Sequence, residues 1–245
     1  MNRLKHITFT GIDAKTDIKE LCEIQKEFPI AEFGVLTSYH WNENGNRYLD
    51  PSIIKTLRGK GLKLSLHICG SAAHDAALGK WEKIDALVND TIDIFKRVQL
   101  NIANRNDNPQ YCRIPLVIGQ ELIIQQSGAD DLSIYDATVK HWAEPPHLHR
   151  DIISVLIDAS GGRGLDTPMN GIPVRRKVGY AGGINPDNVG MKLSFLLEHY
   201  FIGDFWIDME SGVRTDGWFD TGKVVKVLQA CMATNALFDV LGSHK

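Results

Sequence analysis

Along this chain, short runs of β-branched and other apolar residues alternate with longer stretches in which apolar positions recur every three or four residues. The first kind of run has the length and composition of a buried strand, and the second has the periodicity of a helix with one face turned inward. Eight runs read as strands: His6–Thr10, Phe33–Ser38, Lys63–Cys69, Arg97–Asn101, Ile114–Ile118, Ser154–Asp158, Lys177–Ala181 and Phe205–Met209. Helices are predicted at Asp17–Glu27, Pro51–Arg58, Ile84–Phe95, Asp187–His199 and Thr221–Leu241, with Pro51 and Pro186 at helix starts, where a missing N–H costs nothing. Repeated strand-helix units make a parallel sheet, and eight of them predict an α/β fold, a single (β/α)8 TIM barrel over residues 1–245. The stretch from Gln125 to Asp151, with Gly128, Pro145 and Pro146, breaks the rhythm and is expected to hold helix plus loop between strands five and six.

Composition changes this picture little. A content of 43% hydrophobic and 23% charged residues suits one globular barrel, and no linker-like tract or internal repeat marks a second domain. The net charge of -3 and the scattered Lys and Arg residues argue against a nucleic-acid partner. No stretch has the length of a membrane span or the form of a secretory leader, so a cytoplasmic protein, monomer or homodimer, is expected. Cys22, Cys69, Cys112 and Cys231 form no Cys-x-x-Cys pair and are read as reduced thiols. His141, His147 and His149 cluster before strand six, but without a carboxylate-rich segment at matching spacing neither a metal nor another cofactor is expected.

Barrel active sites lie at the C-terminal ends of the strands, and phosphate is commonly held after strands seven and eight. Both loops suit that task here. Gly182 and Gly183 follow strand seven just ahead of a helix, and Ser211 and Gly212 follow strand eight, so that backbone N–H groups can approach an anion. The segments Ala181-Gly182-Gly183-Ile184-Asn185-Pro186-Asp187-Asn188-Val189 and Asp208-Met209-Glu210-Ser211-Gly212-Val213 nearly reproduce a pattern of the phosphoribosylanthranilate isomerase family, which the chain resembles. The resemblance extends upstream to Asp158 before Gly161-Gly162-Arg163-Gly164, to Val98-Gln99-Leu100-Asn101, and to Gly45-Asn46-Arg47-Tyr48-Leu49.

The resemblance implies an Amadori-type aldose-ketose isomerisation of a small phosphorylated sugar derivative. It assigns Asp158 to the general acid, Arg47 to the arginine facing the anthranilate carboxylate, and Gly182, Gly183, Ser211 and Gly212 to the phosphate. The family's general base is a cysteine closing strand one, where this chain has Thr10, whose hydroxyl is a poor proton acceptor at neutral pH. Arg163, Arg214 and Asn101 also replace the family's threonine, glutamate and histidine, and extra guanidinium groups beside a phosphate loop suit a more anionic ligand. His67 and Cys69 share one face of strand three and are candidate replacements for the base; Asp13 is a third candidate, or a helix cap. Different lyase or epimerase chemistry, or a barrel that binds a phosphorylated metabolite without turning it over, are the alternative functions.

Overall fold

Eight parallel strands close into a barrel in sequence order: β1 (Arg3–Thr10), β2 (Ala31–Thr37), β3 (Leu64–Cys69), β4 (Arg97–Asn101), β5 (Glu121–Gln126), β6 (Ile153–Asp158), β7 (Val178–Ala181) and β8 (Asp204–Met209), with β8 returning to β1. The computed structural model describes residues 3–43, 45–102, 119–126, 138, 152–158, 160, 164–166, 177–199 and 204–242, the segment 235–242 as backbone only. Ile114–Ile118, Cys112, Gly161, Gly162, Arg163 and the three histidines His141, His147 and His149 lie outside the described residues. The helices are α1 (Ile18–Glu27), α2 (Pro51–Thr56), α3 (Gly70–Ala77), α4 (Glu82–Leu87), α5 (Val189–His199) and α6 (Thr221–Gly242).

Two expected elements are corrected. The fifth barrel strand is not Ile114–Ile118 but Glu121–Gln126, which runs in register with Arg97–Leu100 and whose Glu121 N–H donates to Lys96 O. Both are short apolar runs, but Pro115 in the first has no N–H to give to a ladder paired on both sides. The helix expected over Ile84–Phe95 stops at Leu87, because Asn89 and Asp90 take left-handed φ values of 52° and 57°; a separate 3-10 turn follows at Ile92–Ile94.

Alternation along each strand sends one set of side chains out to the helices and the other into the barrel. The outward set, including Ile7, Phe9, Phe33, Val35, Leu66 and Leu100, forms one continuous apolar core with the inner faces of the helices. Inside the barrel the apolar cluster is small, made of Ile123, Leu156 and Trp206 with Ala181 packed on it. Much of the remaining interior is polar. Arg97 is buried there with its Nη1 donating to Glu32 Oε2 at 2.9 Å, and its guanidinium lies 4.2 Å from the centre of the Trp206 ring. The indole face and the Glu32 carboxylate compensate the buried charge in part, while Arg97 Nε and Nη2 and Glu32 Oε1 have no hydrogen-bond partner among the described residues.

This packing depends on a missing side chain. A Cβ on Gly179 in β7 would lie 2.1 Å from Trp206 Cε2, so the indole occupies the space that any other residue would fill. Gly179→Ala is therefore expected to push Trp206 off Arg97 and to destabilise the fold by about 1–3 kcal/mol, the usual cost of overpacking. Urea unfolding followed by tryptophan fluorescence measures it, and a change under about 0.5 kcal/mol, the range of neutral surface changes, would contradict the packing account.

Candidate active site

A cavity of about 290 Å³ opens at the carboxyl ends of the strands. Its floor is made by the last inward residues of the barrel. Thr10 closes β1 and Asp208 lies on β8; because these strands pair in parallel, the Thr10 hydroxyl donates to Asp208 Oδ1 at 2.8 Å although the residues are 198 apart in sequence. Gly34 makes room beside them, since a Cβ there would be 2.7 Å from Thr10 Oγ1 and 3.0 Å from His67 Nε2.

Asp208 is the most perturbed acid of the site. Burial raises its carboxyl to about 8; the Thr10 hydrogen bond and Arg97 pull it down, while Glu32 and Asp158 add to the upward push. Its Oδ2 has no hydrogen-bond partner among the described residues and lies 4.0 Å from His67 Nε2. At neutral pH the group therefore carries a proton on a carboxyl that borders the cavity.

Asp158, closing β6, also lines the cavity and is built as an acceptor. Its Oδ1 takes hydrogen bonds from Ser160 N at 3.0 Å and Ser160 Oγ at 2.6 Å, and its Oδ2 takes one from Gln125 Nε2 at 2.9 Å. The Ser160 hydroxyl oxygen also accepts from Gly164 N at 3.1 Å.

The two replacements expected on β3 fare differently. His67 borders the cavity, but burial first and the charges of Arg97 and Arg47 next lower its pKa to about 3, so its imidazole is neutral and a weak base; its Nε2 is 3.0 Å from Ser65 Oγ. Cys69 does not border the cavity. Burial pushes its thiol up to about 11, against the opposing pull of the Arg47 charge and of the Asn101 Nδ2 donor at 3.4 Å, so it stays protonated at neutral pH. Asn101, which does reach the cavity, also receives Gln99 Nε2 at 2.8 Å.

The glycine loops converge above this floor. A Cβ on Gly212 would lie 1.9 Å from Ile184 O, one on Gly183 would lie 2.5 Å from the backbone of Asp166, and one on Gly164 would lie 2.2 Å from Ser211 Oγ. Three loops thus meet at backbone distance, and Gly183 holds a left-handed φ of 61° that suits glycine. Lys192 of α5 lies beneath the turn, its Nζ donating to Gly182 O at 3.2 Å and pairing with Asp166 at 2.7 Å.

Beyond β2, Arg47 is held by Glu210, the residue that precedes the Ser211–Gly212 turn, through two bonds, Nε to Oε1 at 2.6 Å and Nη2 to Oε2 at 2.8 Å. Arg214 does not face the cavity as an added anion contact. Its guanidinium donates to Gly11 O at 2.6 Å, Asn46 O at 3.0 Å and Asp13 Oδ2 at 3.3 Å, which ties the first and second loops to the last. Asp13 also accepts from Phe219 N at 2.7 Å and Lys15 N at 3.0 Å, so it is a buried loop fastener; the cap of α1 is Asp17. Arg163 falls outside the described residues.

Asp208 and Glu210 also line the cavity, although the sequence pattern does not single them out. The signal for Asp208 was available, since it ends an apolar strand as Asp158 does. Glu210 gave no signal, because its partner Arg47 is 163 residues away.

The buried proton has a consequence for stability. Asp208 titrates near 3.8 when unfolded and at about 8 when folded, so the folded chain binds more protons between those values and loses stability as pH rises through them. Asp208→Asn removes that loss while keeping the acceptor for Thr10. The variant is expected to melt higher than the wild type, by several degrees at pH 8 and by much less at pH 5, a gap on the order of 1–3 kcal/mol. Equal melting shifts at both pH values would show that the carboxyl is ionised in the folded state.

Residues 135–230, which carry Asp158, the glycine turns and Asp208, match the family model of N-(5'phosphoribosyl)anthranilate (PRA) isomerase. Among solved structures, the N-(5'-phosphoribosyl)anthranilate isomerase from Pyrococcus furiosus is 14% identical with a TM-score of 0.49, over 94% of this chain and 100% of that one. The phosphoribosyl anthranilate isomerase from Thermococcus kodakaraensis is 11% identical with a TM-score of 0.50, over 94% and 98%. A D-psicose 3-epimerase determined in the presence of D-fructose is 11% identical with a TM-score of 0.43, over 96% and 98%. At such identities structural likeness speaks for the fold alone. No curated protein sequence matches significantly. No helix among the described residues is long and apolar enough to cross a membrane, and no cluster of metal-ligating side chains occurs among them. Residues 135–230 of this closed eight-stranded barrel are thus similar to the phosphoribosylanthranilate isomerase family model.

Proposed function

We propose that the barrel is an isomerase of a small phosphorylated sugar derivative, in which Asp208 and Asp158 exchange protons with the opened sugar. The observation that carries this reading is the pair of carboxyl groups on one cavity floor in unlike settings, Asp208 pushed up to about 8 by burial and Asp158 accepting from Ser160 and Gln125. In an aldosylamine, Asp208 gives its proton to the ring oxygen, the C1–O bond breaks and an iminium forms at carbon one. Asp158 then takes the proton from carbon two, leaving an enolamine. Ketonisation restores both groups: the enol hydroxyl returns a proton to Asp208 and carbon one receives the proton held by Asp158. Atoms and charges balance with no further reagent.

This assignment exchanges the roles that the family resemblance implies, where Asp158 is the acid. The exchange follows from the burial that raises Asp208, against the pull of the Thr10 hydrogen bond. A threonine in place of a cysteine supplies a hydroxyl donor to Asp208 instead of a thiolate, and so turns β1 from base into positioning group. A second carboxyl beside Thr10 also favours turnover over mere binding.

The phosphate belongs at the convergence of the Gly182–Gly183 and Ser211–Gly212 turns, where backbone can approach an anion ahead of α5. With N-(5'-phosphoribosyl)anthranilate and related phosphoribosylamines as trial substrates, Asp158→Asn and Asp208→Asn are each expected to lower kcat by about 10²–10⁴-fold while ribose 5-phosphate still binds. Gly212→Ala, whose methyl would meet Ile184 O, is expected to weaken ribose 5-phosphate binding instead. Turnover that survives Asp208→Asn would refute the proton-exchange scheme. Failure of the wild type to bind any ribose phosphate in calorimetry would refute the substrate class.

A further inference from the structure

We propose that Glu210 fills, from within the chain, the seat on Arg47 that a substrate carboxylate would take, so that the ligand's end group on that rim is uncharged. The proposal rests on the phosphosugar reading and narrows it. Arg47 and Glu210 both border the cavity, and the carboxylate meets the guanidinium in the two-pronged geometry that an aromatic acid would use.

The pair is built in. Arg47 ends a 3-10 turn at Gly45–Arg47, and the carbonyl of its neighbour Asn46 accepts from Arg214, four residues beyond Glu210 in the same loop. That loop therefore grips the Arg47 segment at two points. On its other side Glu210 packs against Gly11, where a Cβ would lie 3.5 Å from Glu210 Cγ and 2.7 Å from Arg214 Nη1. Side chain and stem are both placed by the closing strand.

Charge then selects the ligand. Arg47 and Glu210 cancel, and an incoming carboxylate would have to displace Glu210 and remain beside it, a like-charge contact that disfavours the wrong ligand. A carboxamide meets no such repulsion: its oxygen can accept from Arg47 and its N–H can donate to Glu210. The half-exposed ion pair contributes little to stability, but the argument needs only its occupancy.

The test uses three probes in calorimetry: ribose 5-phosphate, the 1-deoxyribulose 5-phosphate conjugate of anthranilate, and the same conjugate of anthranilamide. The readout is the ratio of the two conjugate affinities. The wild type is expected to bind the anthranilamide conjugate about 10-fold or more tightly than the anthranilate one. Glu210→Gln, with Glu210→Ala as a second variant, is expected to level or reverse that ratio, and adding Arg47→Gln to remove the gain for the carboxylate. Equal affinities in the wild type, with neither Glu210 variant moving the ratio, overturn the proposal and leave the phosphosugar reading intact. Failure of ribose 5-phosphate and both conjugates to bind any folded variant overturns that reading and the proposal with it.

Discussion

The parallel pairing of β1 with β8 is the contact on which the rest of the molecule depends. It converts an open row of strands into a closed wall and sets Thr8 opposite Asp208, with a register shift between Leu4 and His6. Closure leaves no free edge and turns the end of every strand to one rim. Asp158, Thr10, His67 and Asp208, scattered over the chain, share a single cavity for that reason alone.

Closure also creates an interior that this sequence fills with polar groups. Glu32, Arg97, Gln99 and Asp208 are all buried there, beside a small apolar cluster around Trp206. Near the amino ends, burial lowers His6 to about 4, with Arg97 acting in the same direction, and Glu32 receives Arg97. Near the carboxyl ends the same burial holds a proton on Asp208. The low-dielectric interior thus imposes a neutral imidazole at one level and a neutral carboxyl at another, at a cost in stability that the outer apolar core offsets.

The rim is organised by two different means. On the side of β6, β7 and β8, glycines let three loops approach to backbone distance, which leaves peptide groups rather than side chains to meet a ligand. Toward β1 and β2, arginines do the fastening: Arg214 joins the first two loops to the last, and Arg47 is engaged by Glu210.

Much of the barrel was legible in the residues. Short apolar runs located seven strands to within a few residues, and Asp158, Gly182 and Ser211 could be assigned to strand ends and turns because those are local properties. Local pattern failed where two solutions competed: Ile114–Ile118 and Glu121–Gln126 are similar apolar runs, and only the ladder to Arg97–Leu100 selects the second. It failed again wherever function lies in a pair. The sequence by itself determined the number of strand-helix units, the glycine turns and the acid closing β6. Tertiary structure alone decided that Thr10 serves Asp208, that Arg214 is a fastener and that Glu210 occupies Arg47, because each is a contact between residues some 160 to 200 positions apart that exists only once the barrel has closed.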